Sequence, residues 1–503
     1  MTYGDWKRLS RDIALNYANF DSFIVLHGTD TMAYTASALS MLLENLGKSV
    51  IVTGAQVPLS ELRNDAIENV LGALMIAGAY IIPEVTLYFA SKLYRGNRTS
   101  KISNDALAAF DSPNMPPLAH VGIDIDVHWG LVQRPKELRS FEAHADFCED
   151  VAILRLFPGL PLSLVRAVLA APRKGVVLET FGAGNAASSL LDAFREASQA
   201  GVVIVNITQC LQGTVSSIYA AGKKLEEAGV VSGGDMTPEC ALIKLAYLLG
   251  KEDLSTQDVR NLIGRSLRGE ITATSPVVVT GVGAADSEDG ATDDAGGQSV
   301  PHLQELVSDI LFHTSTTSIV KPVSTTMGAA AMAQSKTMNK AQKSTASWTV
   351  TAQEIQRADR VILPLLIRQA VQVGDVAALA FHLDKLDRVG TRSFTTSGSS
   401  GGCAGAGGKE DNPPPAADAL NINLLDDQQA LHLAAARGRT EMVALLLTAG
   451  ASVHLRDHYG FTPLFSALRN GHKETARLIK KTGGHLKADE TGWLQSNGML
   501  SLE

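Results

Sequence analysis

Cysteine is scarce in this chain of 503 residues, which contains only four. Their wide spacing fits neither the Cys-x-x-Cys pair of a zinc site nor the dense framework of a small disulfide-bonded domain. The four are Cys148, Cys210, Cys240 and Cys403. The pattern indicates reduced thiols, so we predict a cytoplasmic protein without a bound metal.

Long apolar runs and long basic runs are missing as well. The longest apolar stretch extends from about Val70 to Ile82, which is shorter than the ~20 residues of a membrane-spanning helix. The first residues lack the apolar segment of a signal peptide. A net charge of −8 without a basic cluster argues against contacts with nucleic-acid phosphates. We therefore expect neither a membrane span nor a nucleic-acid partner.

The chain has enough apolar residues, 45% of the total, to form sizeable cores. Residues 1–280 alternate β-branched runs with helical patterns, which is typical of an α/β fold with parallel strands. We predict two domains, residues 1–145 and 146–280, each with a parallel or mixed sheet. The predicted buried strands are Ser22–His27, Ser49–Thr53, Glu84–Phe89, Val151–Leu156, Gly175–Thr180 and Val202–Ile207.

The second half of the chain changes character. Residues 281–360 and 395–417 have a low-complexity composition, so we predict a disordered linker and a disordered loop. Within residues 361–487, Gln429–His432 aligns with Thr462–Phe465 at a period of 33, and Gly438 aligns with Gly471. This period resembles that of ankyrin repeats, whose helix-ending glycine forms a left-handed cap. A weaker unit surrounds Ala370–Asp375, and the all-α repeats predict a protein partner.

One short motif could carry chemistry. His27-Gly28-Thr29-Asp30 follows a predicted buried strand and opens a predicted helix, the edge at which open α/β sheets bind ligands. Gly28 permits a tight turn, Thr29 offers a hydroxyl group, and Asp30 offers a carboxylate that can hold an amine. An ordinary helix cap uses the same residue types, so these residues alone leave both interpretations open.

Further motifs follow in order along the chain. They are Thr53-Gly54-Ala55-Gln56, Arg95-Gly96-Asn97-Arg98 and Lys101. Together with the first motif, they resemble the bacterial-type L-asparaginase family over roughly residues 1–270. The combination with the repeats is most similar to a cytoplasmic branch in animals that has also been described as a lysophospholipase.

The resemblance implies hydrolysis of L-asparagine to L-aspartate and ammonia, without a cofactor. Thr29, Asp30 and Lys101 would be the catalytic residues. Thr29 and Lys101 would belong to a threonine–lysine–aspartate triad, and Asp30 would bind the α-amino group of the substrate. Gly28, Ala55 and Gln56 would line the substrate pocket. Members of the family are commonly dimers or tetramers, so we expect a homo-oligomer.

The sequence also departs from the family pattern. The family carries its nucleophilic threonine in an N-terminal Thr-Gly-Gly-Thr strand, followed by an Asp-Ser-Ser loop that binds the substrate carboxylate. Neither motif occurs ahead of Tyr3-Gly4-Asp5-Trp6. We therefore expect the chain as written to be incomplete, with exposed apolar surface, an unpaired strand edge and little or no activity.

One weaker pattern and two alternative functions remain open. Asn185 and Cys210 match positions of a regulatory asparagine site in the cytoplasmic bacterial relatives, although a structural loop would use such residues too. Gly398-Ser399-Ser400-Gly401-Gly402 fits the Gly-x-Ser-x-Gly pattern of serine hydrolases, but it lies in low-complexity sequence rather than between a strand and a helix, so we interpret it as a chance match. The alternative functions are a lysophospholipase or transacylase and a non-catalytic ankyrin adaptor.

Overall fold

A computed structural model describes residues 1–135, 138–215, 220–272, 352–392 and 429–499. Only the backbone is described for residues 220–222, 352–361 and 387–392. Most of the predicted linker, the predicted disordered loop and the serine pattern at Gly398–Gly402 lie outside the described residues.

The first domain contains a six-stranded mixed sheet whose strand order is β1-β3-β4-β5-β8-β9. The pairs β1–β3 and β3–β4 are parallel, and the other neighbours are antiparallel. β3 is buried along its whole length, as its unbroken β-branched sequence predicts for a strand covered on both faces. The strands of the first domain are β1 (Ser22–Leu26), β2 (Leu43–Glu44), β3 (Ser49–Thr53), β4 (Val85–Phe89), β5 (Lys92–Arg95), β6 (Ser100–Lys101), β7 (Phe110–Asp111), β8 (Ala119–Val121), β9 (Ile125–Val127) and β10 (Glu142–Ala143). The helices of this domain are α1 (Tyr3–Asn16), α2 (Met32–Leu42) and α3 (Ala66–Ala79).

β1 forms one edge of this sheet. Leu26 at its carboxyl end is 66% exposed, and Phe20 just before the strand is 55% exposed. β1 is thus an edge strand of the sheet that the structure describes, with exposed apolar side chains at both of its ends.

The second domain contains a parallel sheet whose strands follow one another in the order β11-β12-β13-β14. β12 and β13 are buried throughout, and helices connect the successive strands. Thr237 caps α7 by accepting a hydrogen bond from the Cys240 backbone, and Pro238 occupies the first turn, where its missing N–H has no consequence. The elements are β11 (Val151–Arg155), β12 (Gly175–Thr180), β13 (Val203–Thr208), β14 (Val230–Ser232), α4 (Leu162–Leu169), α5 (Leu191–Gln199), α6 (Ala220–Glu227), α7 (Pro238–Gly250) and α8 (Thr256–Ile263).

Helix α2 joins the cores of the two domains. Ala38, Met41 and Leu42 pack in one cluster with Ile243 and Leu245 of α7. The opposite side of α2 contributes to the core of the first domain. A helix that is buried all round needs an almost uniformly apolar sequence, and this requirement explains the lack of a polar face on α2.

The repeats form one continuous apolar core. The prediction of left-handed helix ends is confirmed, because Gly438 has a φ of 68° and Gly471 a φ of 77°. Helix α9 begins at Ala352, so residues 352–360 are helical rather than part of the predicted linker. The helices are α9 (Ala352–Val373), α10 (Val376–Arg392), α11 (Ala430–Ala436), α12 (Thr440–Thr448), α13 (Pro463–Arg469), α14 (Lys473–Lys481) and α15 (Ala488–Ser496). None of the helices in these ranges is long and apolar enough to cross a membrane.

The repeats dock on the first domain around Lys48. Its ammonium group donates hydrogen bonds to the Phe20 carbonyl at 2.6 Å and to His485 Nε2 at 3.1 Å. Burial lowers the pKa of Lys48 to about 8, and burial together with the Lys48 charge lowers the pKa of His485 to about 4. Arg456 of the repeats forms an ion pair with Asp21 at 3.0 Å. The contact therefore brings several cationic groups to one carboxylate.

Candidate active site

The first and second motifs meet at one edge of the sheet. They directly follow β1 and β3, which pair in parallel with Leu26 opposite Thr53. The His27 N–H donates to the Thr53 carbonyl at 2.8 Å, which continues the ladder to the turn. A Cβ atom on Gly54 would lie 2.0 Å from the His27 carbonyl oxygen. Glycine at position 54 is therefore required by the close approach of the two turns.

Lys101 brings Thr29 and Asp30 together. Lys101 Nζ donates a hydrogen bond to Thr29 Oγ1 at 2.9 Å and another to Asp30 Oδ1 at 2.7 Å. Thr29 opens the short 3-10 turn Thr29–Thr31, ahead of α2. Lys101 reaches it from β6, 72 residues later in the chain. The three residues assigned to catalysis thus form one hydrogen-bonded group.

The two charged residues of this group differ in their exposure to solvent. The Lys101 side chain is 20% exposed, whereas that of Asp30 is 93% exposed. The hydrogen bond from Lys101 and its positive charge lower the pKa of Asp30. An exposed ion pair contributes little free energy, so a ligand ammonium group can compete with Lys101 for the Asp30 carboxylate.

Helix α3 holds the loop that carries Ala55 and Gln56, both of which are partly buried. The buried Asp65 carboxylate accepts hydrogen bonds at 3.0 Å from the backbone N–H groups of Gln56 and Val57. Asn69, one helical turn later, donates to the Gly54 carbonyl at 2.9 Å. Sequence reasoning assigned no role to Asp65 or Asn69, although a spacing of four, typical of residues on one helix face, was a usable signal.

His27 is held by hydrogen bonds on both ring nitrogens. Trp6 donates to Thr35 Oγ1 at 2.9 Å, so the Thr35 hydroxyl can donate to His27 Nε2 at 2.8 Å. This assignment places the ring proton on Nδ1, which lies 2.6 Å from the Gly28 carbonyl oxygen. His27 therefore supports the turn before Thr29.

The Arg95–Arg98 motif connects the two domains. Arg98 forms a bidentate pair with Asp235 of the second domain, with distances of 2.9 and 2.7 Å. Arg95 pairs with Glu84 and also donates to the Gly269 carbonyl at 3.3 Å. The motif lies just before β6, so this interface fixes the strand that carries Lys101.

Asn185 and Cys210 lie at the carboxyl edge of the second sheet. They follow β12 and β13, whose last residues, Thr180 and Thr208, are paired in register. Both Asn185 and Cys210 are exposed. No group of three His, Cys, Asp or Glu side chains suited to a metal ion occurs in the part of the chain that the structure describes.

Comparison with known proteins gives a consistent result. Residues 1–133 match the profile "Asparaginase, N-terminal", residues 150–263 match "Glutaminase/Asparaginase C-terminal domain", and residues 412–489 match "Ankyrin repeats (3 copies)". An L-asparaginase from Dirofilaria immitis is 34% identical over 492 residues, which cover 97% of this chain and 68% of that protein. The chain belongs to the asparaginase family.

Two other similar proteins each match about half of the chain. The crystal structure of L-asparaginase I from Vibrio cholerae shares 46% identity with a TM-score of 0.51, covering 54% of this chain and 83% of that chain. A 60 kDa lysophospholipase from Mus musculus is 50% identical over 274 residues, or 54% of this chain and 49% of that protein. The chain thus spans about half the length of this curated relative. The predicted two-domain α/β asparaginase fold with ankyrin repeats is confirmed.

Proposed function

We propose that the protein hydrolyses L-asparagine to L-aspartate and ammonia. The observation that carries this proposal is the contact of Lys101 Nζ with both Thr29 Oγ1 and Asp30 Oδ1. A threonine hydroxyl beside a lysine amine can take part in acyl transfer, because the amine can polarise the hydroxyl group or a neighbouring water molecule. Membership of the asparaginase family supports the amide as the substrate.

Each residue of the site has a proposed role. Asp30, exposed and negatively charged, binds the α-ammonium group of the substrate in competition with Lys101. Gly28, Ala55 and Gln56 line the pocket between the ends of β1 and β3, and no cofactor takes part. The Asp65 carboxylate keeps the Gln56 loop in place.

Ammonia release tests this function. The protein, expressed from the native gene in cells of the organism that it comes from, should release ammonia from L-asparagine. Thr29→Ser should retain part of the activity that Thr29→Ala loses. We expect Thr29→Ala to reduce kcat by at least about 100-fold, in the range for loss of a group that acts in proton transfer. Equal activity of Thr29→Ala and wild type would refute the proposal.

A second candidate activity follows from the name of the mouse relative. The same preparations should be tested with lysophosphatidylcholine, and fatty-acid release that survives Thr29→Ala would favour a separate lysophospholipase or transacylase site. A stable protein partner of the repeats in a chain without either activity would favour the adaptor. Under each of these proposed functions, the ankyrin repeats would provide a surface that binds a protein partner.

We also propose a homo-oligomer, supported by an apolar surface on α3. Ile67, Leu71, Leu74 and Met75 are each more than half exposed, and their spacing places them on one helix face. An uncharged stripe of this kind is typical of an interface between copies. Leu71→Glu should reduce the mass measured by light scattering to that of a single chain, and an unchanged mass would exclude this surface.

Two smaller proposals concern Cys210. Its exposed free thiol supports a reducing, cytoplasmic setting, which fractionation of the source cells tests. Its position at the same edge of the second sheet as Asn185 supports a regulatory asparagine site. In that case Asn185→Ala and Cys210→Ala should each remove a sigmoidal dependence of rate on asparagine, whereas hyperbolic kinetics in the wild type would exclude it.

A further inference from the structure

Strand β6 connects the active site to the second domain. Ser100 and Lys101 are consecutive strand residues, so their side chains point to opposite faces. Lys101 contacts Thr29 and Asp30. On the other face, Ser100 Oγ donates a hydrogen bond to Glu239 Oε2 at 2.9 Å. Each face of this two-residue strand is therefore held by a polar contact.

Glu239 is an unusual residue to place at this contact. It lies in the first turn of α7, and its carboxyl group has no ion-pair partner among the residues that the structure describes. Burial raises its pKa, and the nearby charge of Glu179 raises it further. The helix N-terminus compensates only part of such a desolvation cost. The carboxylate also accepts hydrogen bonds from its own backbone N–H and from the Thr237 side chain, which are local contacts at the start of α7. The contact with Ser100 is the one that reaches from α7 to β6.

We propose that Glu239 is a positioning residue that acts through Ser100 to hold Lys101 within reach of Thr29. The second domain thereby contributes to the site without contacting the substrate. The inference deepens the proposed function, on which its kinetic test rests. The alternative is a purely structural acid at a helix N-terminus, which would affect stability but not Lys101.

Four variants separate these possibilities. Ser100→Ala and Glu239→Leu remove the contact from either side, whereas Ser100→Thr and Glu239→Gln keep a donor and an acceptor. Asp258→Asn is the matched control. Asp258 is also an acidic residue in the first turn of a helix, α8, where it forms a capping contact, and it has no described contact with β6. All variants are compared at temperatures at which melting curves show them to be folded.

The kinetic readout is the split between kcat and KM. Ser100→Ala and Glu239→Leu should each lower kcat about tenfold with KM changed less than twofold, and the double variant should lose no more than either single one. Ser100→Thr and Glu239→Gln should keep most of the wild-type kcat. Additive losses, or losses equal to that of Asp258→Asn, would overturn the proposal.

A second readout does not depend on turnover. Lys101 can be labelled by reductive methylation and quantified by peptide mass spectrometry at several pH values. We expect Ser100→Ala and Glu239→Leu to increase the labelling rate of Lys101 several-fold, while Asp258→Asn leaves it unchanged. An unchanged rate in the first two variants would refute the positioning role. If the wild type released no ammonia but the two variants still raised the labelling rate of Lys101, the proposed function would fail and the positioning role of Glu239 would stand.

Discussion

The buried pair between Arg98 and Asp235 makes a strong prediction about the joint between the two domains. The side chains are only 2% and 9% exposed. Arg98 also donates to the Glu270 carbonyl at 2.6 Å and to Thr272 Oγ1 at 2.8 Å. Asp235→Ala would leave the guanidinium group buried without its carboxylate, a change that costs about 3–5 kcal/mol in comparable pairs. The melting temperature of the asparaginase part should fall by about 6–20 °C, at ~2–4 °C per kcal/mol for a unit of this size.

The assay is thermal unfolding followed by circular dichroism, with urea unfolding as a second measurement. Arg166→Ala serves as the control, because Arg166 and Glu196 form a pair with exposed fractions of 55% and 61% and should contribute at most about 1 kcal/mol. The double variant Arg98→Met/Asp235→Leu should recover part of the loss, since it removes both charges. A loss for Asp235→Ala no larger than that for Arg166→Ala would refute the reasoning.

Three further predictions concern the site loop and the docked repeats. Gly54→Ala should destabilise the protein by about 1–3 kcal/mol through overpacking against the His27 carbonyl, measurable as a lower melting temperature, whereas no change would show that the turn can move. Asp65→Ala should raise KM for asparagine and cost about 1–3 kcal/mol for the unpaired N–H groups, while Asp65→Asn, which keeps one acceptor, should lose less. The depressed pKa of His485 means that its contribution to docking is complete above about pH 6.5 and is lost as pH falls from there towards about 4, by at most about 1.4 kcal/mol per pH unit and proton. Protection factors of the β1 amides, which correct for the slower intrinsic exchange in acid, should therefore fall as the pH falls, and His485→Gln should reduce that response.

The regular strands and repeats could be predicted from sequence because local patterns determine them. The predicted bounds of Ser49–Thr53 and Gly175–Thr180 agree with β3 and β12, since a doubly covered strand needs an unbroken β-branched run. The antiparallel half of the first sheet was missed, because β5, β8 and β9 are short and their pairing depends on distant partners. Helix α9 begins within the predicted linker because helix starts without a clear cap are poorly marked in sequence.

The members of the site could be predicted from the sequence, but the residues that position them could not. Thr29, Asp30 and Lys101 were named from motifs, and the structure brings them together. The role of Glu239 depends on a contact between the two domains, which no local spacing encodes. The role of Asp65 depends on a contact with a distant loop, and the spacing of Asp65 and Asn69 was its one local signal. The Arg95–Arg98 motif was interpreted only as a family marker, whereas its side chains contact a loop of the second domain. Arg95 contacts Gly269 and Arg98 contacts Thr272, each 174 residues later in the chain.

The most direct test of the account is the rate of ammonia release from L-asparagine by Lys101→Met compared with wild type, both expressed in cells of the source. Lys174→Met is the control, because Lys174 is exposed next to the amino end of β12, away from the carboxyl edges of the sheets. The account predicts that Lys101→Met loses activity by at least about 100-fold, with an unchanged melting temperature and a fully active Lys174→Met. Retention of activity in Lys101→Met within a few-fold of wild type would contradict the proposed role of the Lys101–Thr29–Asp30 group.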